Sequence, residues 1–292
     1  IAREAGDLAA RRRREGLEIA TKSVAADIVT AADKEVEAFI RAELERERPD
    51  DGFYGEESAA QESRSGITWV VDPIDGTVNY AYGIPAWAVS IAAVEGSADP
   101  ATWTAIAGVV YNPVSGEMFR ASRGGGAWLG DDRLSVTADV GAAGGLVATG
   151  FGYDPATHAP TLALLGRVMP IARDIRRIGA ASLDLASVAS GRVDAYYEKG
   201  THPWQFTHVV QPNLDGDGDP VQTAIRGRPH AVVAQRRRQR LDIAGIGRLM
   251  PPFGKVGDIL ALEALRRGEH DIGAFGAGAH PRVDLHEQLK VI

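Results

Sequence analysis

Cysteine is absent from all 292 residues. Its absence excludes disulfides, thiolate nucleophiles and thiolate metal sites together. Any metal must then be held by oxygen or imidazole, and carboxylate-rich sites favour Mg²⁺, Mn²⁺ or Ca²⁺. There is no run of about 18 apolar residues, so no spanning helix is expected, and no charged-then-apolar secretory segment opens the chain. An excess of positive charge is also missing. Lys and Arg number 32 against 39 Asp and Glu, a formal charge of −7, which argues against a nucleic-acid surface. No internal repeat is found. What remains is ordinary for a globular protein: 45% apolar and 24% charged residues, and enough chain for one large domain or two smaller ones.

The chain opens at Ile1 without Met and already in a helical period, so residues ahead of it are expected. Ile1 to about Ile19 reads as helix, with Ala5, Leu8, Ala9 and Leu17 apolar and the run Arg11 to Arg14 read as a solvated face among Glu4, Asp7, Glu15 and Glu18. Thr30 caps a second helix, Ala31 to Glu45, whose apolar side carries Val36, Phe39, Ile40 and Leu44. Thr68-Trp69-Val70-Val71 is apolar and β-branched, the pattern of a buried strand running into Asp72. Strands follow at Ala86–Val94, Ala105–Tyr111 and Glu117–Ala121, separated by turns at Asn112-Pro113 and Ser122–Gly126, which suggests an antiparallel or mixed sheet. A further strand lies around Gly145–Thr149. Leu162–Val168 and Ala181–Ala189 read as helices and Ala195–Tyr197 as a strand.

The strongest chemical signal is Asp72-Pro73-Ile74-Asp75-Gly76-Thr77. Two carboxylates three residues apart, on a turn stiffened by Pro73, aim at a common point with little ordering entropy to lose. Adjacent acids of this kind are what a two-metal phosphoryl site needs. Gly76 lets backbone approach an anion closely, and a helix beginning at Thr77 would offer its positive end as a phosphate seat. Upstream, Gly55-Glu56-Glu57-Ser58 supplies paired glutamates, and Thr30-Ala31-Ala32-Asp33 places an acid in a helix's first turn, where simple capping is an equal explanation.

Gly55-Glu56-Glu57 followed by Trp69-Val70-Val71-Asp72-Pro73-Ile74-Asp75-Gly76-Thr77 resembles the first diagnostic motif of the inositol monophosphatase family. The likeness continues through Arg123–Trp128, Arg177-Ile178-Gly179-Ala180-Ala181-Ser182 and Asp194–Glu198, and covers roughly residues 1 to 204. It implies a layered α/β (α+β) fold alternating helix, sheet, helix, sheet, helix. It also implies Mg²⁺ held by Glu56, Asp72, Asp75 and the Ile74 carbonyl. By the same resemblance Asp33 and Thr77, with Glu56, are the catalytic positions, Asp33 and Thr77 orienting a water whose pKa the metal ions lower. Asp75, Gly76, Thr77, Gly179, Ala180, Ala181 and Glu198 are the substrate contacts, and Lys22 matches a basic residue near the metals. The expected substrate is a small phosphorylated polyol, inositol monophosphate first, in a cytoplasmic enzyme with no membrane or nucleic-acid partner; family members are often dimers. Histidinol phosphate, fructose 1,6-bisphosphate and phosphoadenosine nucleotides stay open as alternatives.

One departure stands against this. The family's second motif carries Pro-Trp-Asp and a helix of small residues, whereas this chain reads His202-Pro203-Trp204-Gln205-Phe206-Thr207-His208. Gln205 offers a carbonyl oxygen but no charge. Composition changes at the same point: all five Trp and all seven Tyr lie at or before residue 204, and five of seven His lie beyond it. The reading therefore divides the chain into a metal-binding half at 1–150, the start of a substrate-covering half at 151–204, and a divergent, irregular tail at 205–292. The second half is thus expected to be incomplete, and an altered reading frame or splice is the expected origin of the tail. A catalytically impaired member acting through interactions is the competing functional reading. Within the tail only a helix at about Val256 to Arg267 is expected. Asp215–Asp219 lacks the spacing of a calcium loop, and the Arg236–Arg240 run lacks the aromatics of a nucleic-acid site.

Overall fold

In a computed structural model, residues 1–16, 19–21, 28–96, 103–137, 144–198, 201–206, 221–223 and 234–236 are described. Lys22, the Asp215–Asp219 turn, the helix expected from Val256 and the packing expected of the tail as a whole lie outside the described residues.

Helix α1 (Ala2–Glu15) presents Ala2, Ala5, Gly6 and Ala9 to the core, a stripe of small residues at helical spacing that lets it lie close to its neighbours. It stops short of the expected Ile19 because Gly16 turns to φ 112, a backbone state that glycine adopts without strain. The arginine run is only partly a solvated face. Arg12 makes a two-pronged contact to Glu35, Nε to Oε2 and Nη2 to Oε1 at 2.6 Å each, and Arg13 donates to the Tyr80 carbonyl at 2.7 Å. Long side chains on one helix thus tie two later elements to it.

A short antiparallel pair, β1 (Ile19–Thr21) and β2 (Ile28–Thr30), leads into α2 (Ala31–Glu47). Next come β3 (Gly52–Gly55), β4 (Ile67–Asp75), α3 (Thr77–Tyr82), β5 (Ala88–Glu95), β6 (Thr104–Asn112), β7 (Glu117–Ser122), β8 (Gly126–Leu129) and β9 (Asp132–Arg133). These strands form one seven-stranded sheet in chain order, with β3 parallel to β4 and every later pair antiparallel. The expected strand into Asp72 proves longer. β4 continues to Asp75, but its register to β5 breaks between Asp72 and Asp75. Pro73 has no N–H to give the ladder, and a bulge is the usual answer.

All nine residues of β4 are buried, because helices cover both faces. Alternation sorts them: Trp69 and Val71 join Val36, Ile40, Ile91 and the alanines of α1, while Val70 joins Ala92, Val94, Tyr54, Trp103 and Trp204 on the opposite face. A second sheet is built from β10 (Leu146–Thr149), β11 (Asp174–Arg176) and β12 (Ala195–Tyr197), parallel and in the order β11-β10-β12. Its crossovers are α4 (His158–Val168) and α5 (Ala181–Ala189). One face of α5 meets the first sheet through Ala180, Leu183 and Ala186. The other meets the second sheet through Ala181, Leu185 and Val188. The two crossovers run in opposite directions across β10, so right-handed connection places α4 on the face away from α5. The layers are therefore helix, sheet, helix, sheet, helix, as expected. A 3-10 turn at Pro155–Thr157 ahead of α4, a single turn, α6 (Pro203–Phe206), and a short antiparallel pair, β13 (Val221–Thr223) with β14 (Ala234–Arg236), complete the described elements.

Candidate active site

The expected residues gather where β3 and β4 end and α2, α3 and α5 begin. Asp33 is buried in the first turn of α2, where Oδ2 accepts the Thr30 N–H at 2.8 Å and the Thr30 hydroxyl at 2.6 Å. This closes the helix start and leaves Oδ1 facing the Thr77 hydroxyl at 3.2 Å. That hydroxyl also stands 3.1 Å from the Ile74 carbonyl. Capping and site geometry are therefore served by one side chain, so the two readings of Thr30–Asp33 do not compete.

Asp72 is the least satisfied group. It is 0% exposed, and neither carboxylate oxygen has a hydrogen-bond partner. Burial, followed by the charges of Glu56, Asp75 and Asp33, pushes its pKa well above the carboxylate range. Asp75 differs because it has found donors: Oδ2 accepts the Ser182 N–H at 2.7 Å and its hydroxyl at 2.5 Å. Those bonds hold its pKa down against burial and the charges of Glu56 and Glu198, and it settles at about 6. Asp75 thereby caps the N-terminus of α5 from outside the helix. Glu56, half-buried, is fixed to β4 by its N–H on the Val71 carbonyl at 3.2 Å.

Gly76, with φ 89, is where the two halves meet. A Cβ there would stand 3.0 Å from Ala180 Cβ and 3.1 Å from the Gly179 carbonyl, so only glycine lets the expected phosphate seat touch the Gly179–Ala180 turn. Thr77 does open α3. Asn79 then stitches that helix to the same turn, its amide donating to the Ile178 carbonyl at 2.9 Å and to the Ala86 carbonyl at 2.7 Å. On the far side Glu198 takes the hydroxyl of fully buried Tyr196. Burial raises the Glu198 pKa, opposed by that hydrogen bond and by the Arg177 charge.

Asn79, Ser182 as a donor, Tyr196 and Asp184 escaped the sequence reading. Asp184 is 1% exposed, with Oδ1 unpartnered. Burial and the charges of Asp75 and Glu198 lift its pKa to about 8. Ser182 and Tyr196 stand inside the quoted motifs, but their roles lie in contacts across the fold. Gln205 behaves unlike a ligand: its Oε1 accepts the His202 N–H at 3.0 Å and so caps its own helical turn.

The donor set suits a hard divalent cation. Asp72 has two buried oxygens with nothing bound to them, and Glu56 and Asp75 stand near enough to act on its pKa. Among the described residues, however, no three or more His, Asp or Glu side chains already close on one point as a finished cage. Asp75 Oδ2 is taken by both Ser182 donors, and Gln205 is neutral and caps its own turn.

The sequence profile of the inositol monophosphatase family matches residues 1–207. An inositol-1-monophosphatase of Mycobacterium leprae is 41% identical over 198 residues, which are 64% of this chain and 65% of that protein. The match thus spans slightly less than two thirds of this relative's length. An inositol-1-monophosphatase of Rhizobium meliloti is 34% identical over 249 residues, 81% of this chain and 89% of that one. Among solved structures, the extragenic suppressor protein suhB of Bartonella henselae superposes with a TM-score of 0.73 at 34% identity, covering 86% of this chain and 96% of its own.

Proposed function

The chain belongs to the inositol monophosphatase family, and we propose that it is a Mg²⁺-dependent phosphomonoesterase acting on a small phosphorylated polyol, inositol monophosphate first. The observation that carries this reading is Asp72: a fully buried carboxylate with two unpartnered oxygens, set among Glu56, Asp75 and Asp33. A buried acid without a partner is costly, and a cation removes the cost. Glu56, Asp72, Asp75 and the Ile74 carbonyl would hold the ions. When bound, Mg²⁺ supplies charge neutralisation and activates water for attack on phosphorus.

The chain's own groups account for the rest. Asp33, already anchored by Thr30, turns Oδ1 to Thr77, and this pair orients the attacking water and takes its proton. Gly76 and Thr77 offer backbone N–H groups to the phosphate oxygens. Gly179, Ala180 and Ala181 line the polyol, and Glu198, held by Tyr196, accepts from its hydroxyls with the strength of an ionised acceptor. In this reading the first sheet and its helices carry the metals, and the second sheet covers the substrate.

The test is phosphate release from inositol 1-phosphate with Mg²⁺ and with EDTA, in the native chain and in Asp72→Ala. Release that survives both EDTA and the substitution would end this reading. A panel containing histidinol phosphate, fructose 1,6-bisphosphate and a phosphoadenosine nucleotide decides among substrates. One observation favours the second reading, a catalytically weak member. Gln205 brings no charge, and its carbonyl oxygen is engaged with His202.

A further inference from the structure

Glu37 lies one helical turn beyond Asp33 on α2, and like Asp33 it is buried, at 2% exposure. Residues four apart share a helix face, so one stripe of α2 carries two carboxyl groups toward the ends of the first sheet's strands. Asp33 reaches Thr77, just past the end of β4. Glu37 reaches the end of β3, where its Oε2 accepts the backbone N–H of Glu57 at 2.8 Å. Its carboxyl occupies the space that a side chain on Gly55 would need, since a Cβ built there would overlap both of its oxygens. The turn Gly55-Glu56-Glu57 is therefore gripped twice. The Glu56 N–H is held by Val71 of β4, and the Glu57 N–H is held by Glu37 of α2. Glu56 sits between the two grips.

We propose that Glu37 is a positioning residue: its carboxyl fixes the Gly55–Glu57 turn so that the Glu56 side chain faces Asp72. The proposal rests on the reading of Glu56 as a metal ligand. Glu37 was not among the residues that the motifs picked out, because its partner is a backbone N–H twenty residues away. Gly55 belongs to the same device, since any side chain there would displace the Glu37 carboxyl. Groups that orient a metal ligand without touching the metal cost about 10–100-fold in affinity when they are lost.

Mn²⁺ serves as the probe, with free Mn²⁺ followed by electron paramagnetic resonance during titration of the full chain. Glu37→Leu and Gly55→Ala are each expected to weaken Mn²⁺ binding about 10–100-fold. Glu37→Gln, which keeps an acceptor for Glu57, is expected to stay within about threefold of the native chain. Amide hydrogen exchange at Glu57 should quicken in Glu37→Leu and remain slow in Glu37→Gln, a change that a general loss of packing would not confine to one amide. Native Mn²⁺ affinity in both Glu37→Leu and Gly55→Ala overturns the proposal, as does Glu37→Gln falling as far as Glu37→Leu. Should Glu37→Leu not fold, as judged by circular dichroism in EDTA, Gly55→Ala decides alone on the same criterion. Glu56→Ala separates the two levels. If it loses Mn²⁺ while Glu37→Leu and Gly55→Ala keep it, only the positioning role fails; if it keeps Mn²⁺, the metal reading fails and takes the proposal with it.

Discussion

Stripping divalent ions should make the protein less stable at alkaline than at mildly acid pH, the reverse of the usual behaviour of carboxylates. Asp75 titrates near 3.8 as a free side chain and at about 6 in the fold; Asp72 moves in the same direction. A carboxyl whose folded pKa is raised holds its proton longer folded than unfolded. Its contribution is full below the unfolded pKa and is lost as pH climbs through the folded one. For Asp75 the whole shift corresponds to roughly 3 kcal/mol, of which roughly 1.4 kcal/mol falls between about pH 5 and about pH 8. Asp184, raised from 3.8 to about 8, adds roughly 3.6 kcal/mol over the same interval, and Asp72 moves in the same direction, so the loss is at least roughly 5 kcal/mol. At about 2–4 °C per kcal/mol for a domain of this size, Tm in EDTA should fall by at least about 10–20 °C. Bound Mg²⁺ would keep Asp72 and Asp75 ionised, so its stabilising effect should be larger at about pH 8 than at about pH 5. Differential scanning calorimetry at the two pH values, with EDTA and with Mg²⁺, measures all four quantities. Asp72→Asn should lessen the EDTA slope, raise Tm at the higher pH and abolish most of the Mg²⁺ shift. A flat Tm in EDTA, or an unchanged slope in Asp72→Asn, would refute the argument.

Three further outcomes follow from the same geometry. Gly76→Ala must place a Cβ 3.0 Å from Ala180 Cβ at φ 89, and should lower kcat/KM for inositol 1-phosphate on the order of a hundredfold, in line with displacement of a reacting group by about 1 Å; full activity would show that the two halves need not touch there. Tyr196→Phe removes the hydroxyl that holds Glu198 and should raise KM for inositol 1-phosphate about tenfold while leaving kcat for a phosphate ester without hydroxyls unchanged, a steady-state comparison. Gln205→Asp should increase Mg²⁺-dependent phosphate release by much less than the roughly hundredfold to thousandfold that one strong electrostatic group supplies; release restored to the full extent of that range would show that charge alone was missing.

The elements read correctly in the sequence are those whose cause is local. Thr30 and Asp33 close a capping box over three residues, so the start of α2 was legible to the residue. The apolar run from Thr68 to Val71 announced β4, but its extension to Asp75 was not legible, because a Pro inside a strand reads as an end unless the neighbouring ladder is seen to skip past it. The pairs β1–β2 and β8–β9 are too short to show a period. The order β11-β10-β12 is not encoded in any window, since it depends on two crossovers folding to opposite faces.

The site divides along the same line. The Asp72–Thr77 hexapeptide carries its own chemistry and could be read directly. The groups that tune it are distant in sequence: Ser182 meets Asp75 across 107 residues, and Asn79 meets Ile178 across 99. This distance gives the described half of the molecule a consequence for Gln205. Asp75 has a fixed seat whatever residue 205 is, because the first turn of α5 supplies two donors to it. Asp33 and Thr77 are likewise bonded to each other, Asp33 also to Thr30 and Thr77 to the Ile74 carbonyl, and the Glu56 N–H is bonded to β4. The α6 turn instead rests on its neighbours through Trp204, whose ring packs in the Val70–Ala92–Val94 cluster and whose carbonyl accepts the Ser90 hydroxyl at 3.2 Å. On the proposed reading, Gln205 in place of the family's acid would remove charge from the cation site without disturbing the seats of the other acids. On that reading affinity for the ion, rather than the placement of Asp33 and Thr77, is the quantity that Gln205 is expected to lower.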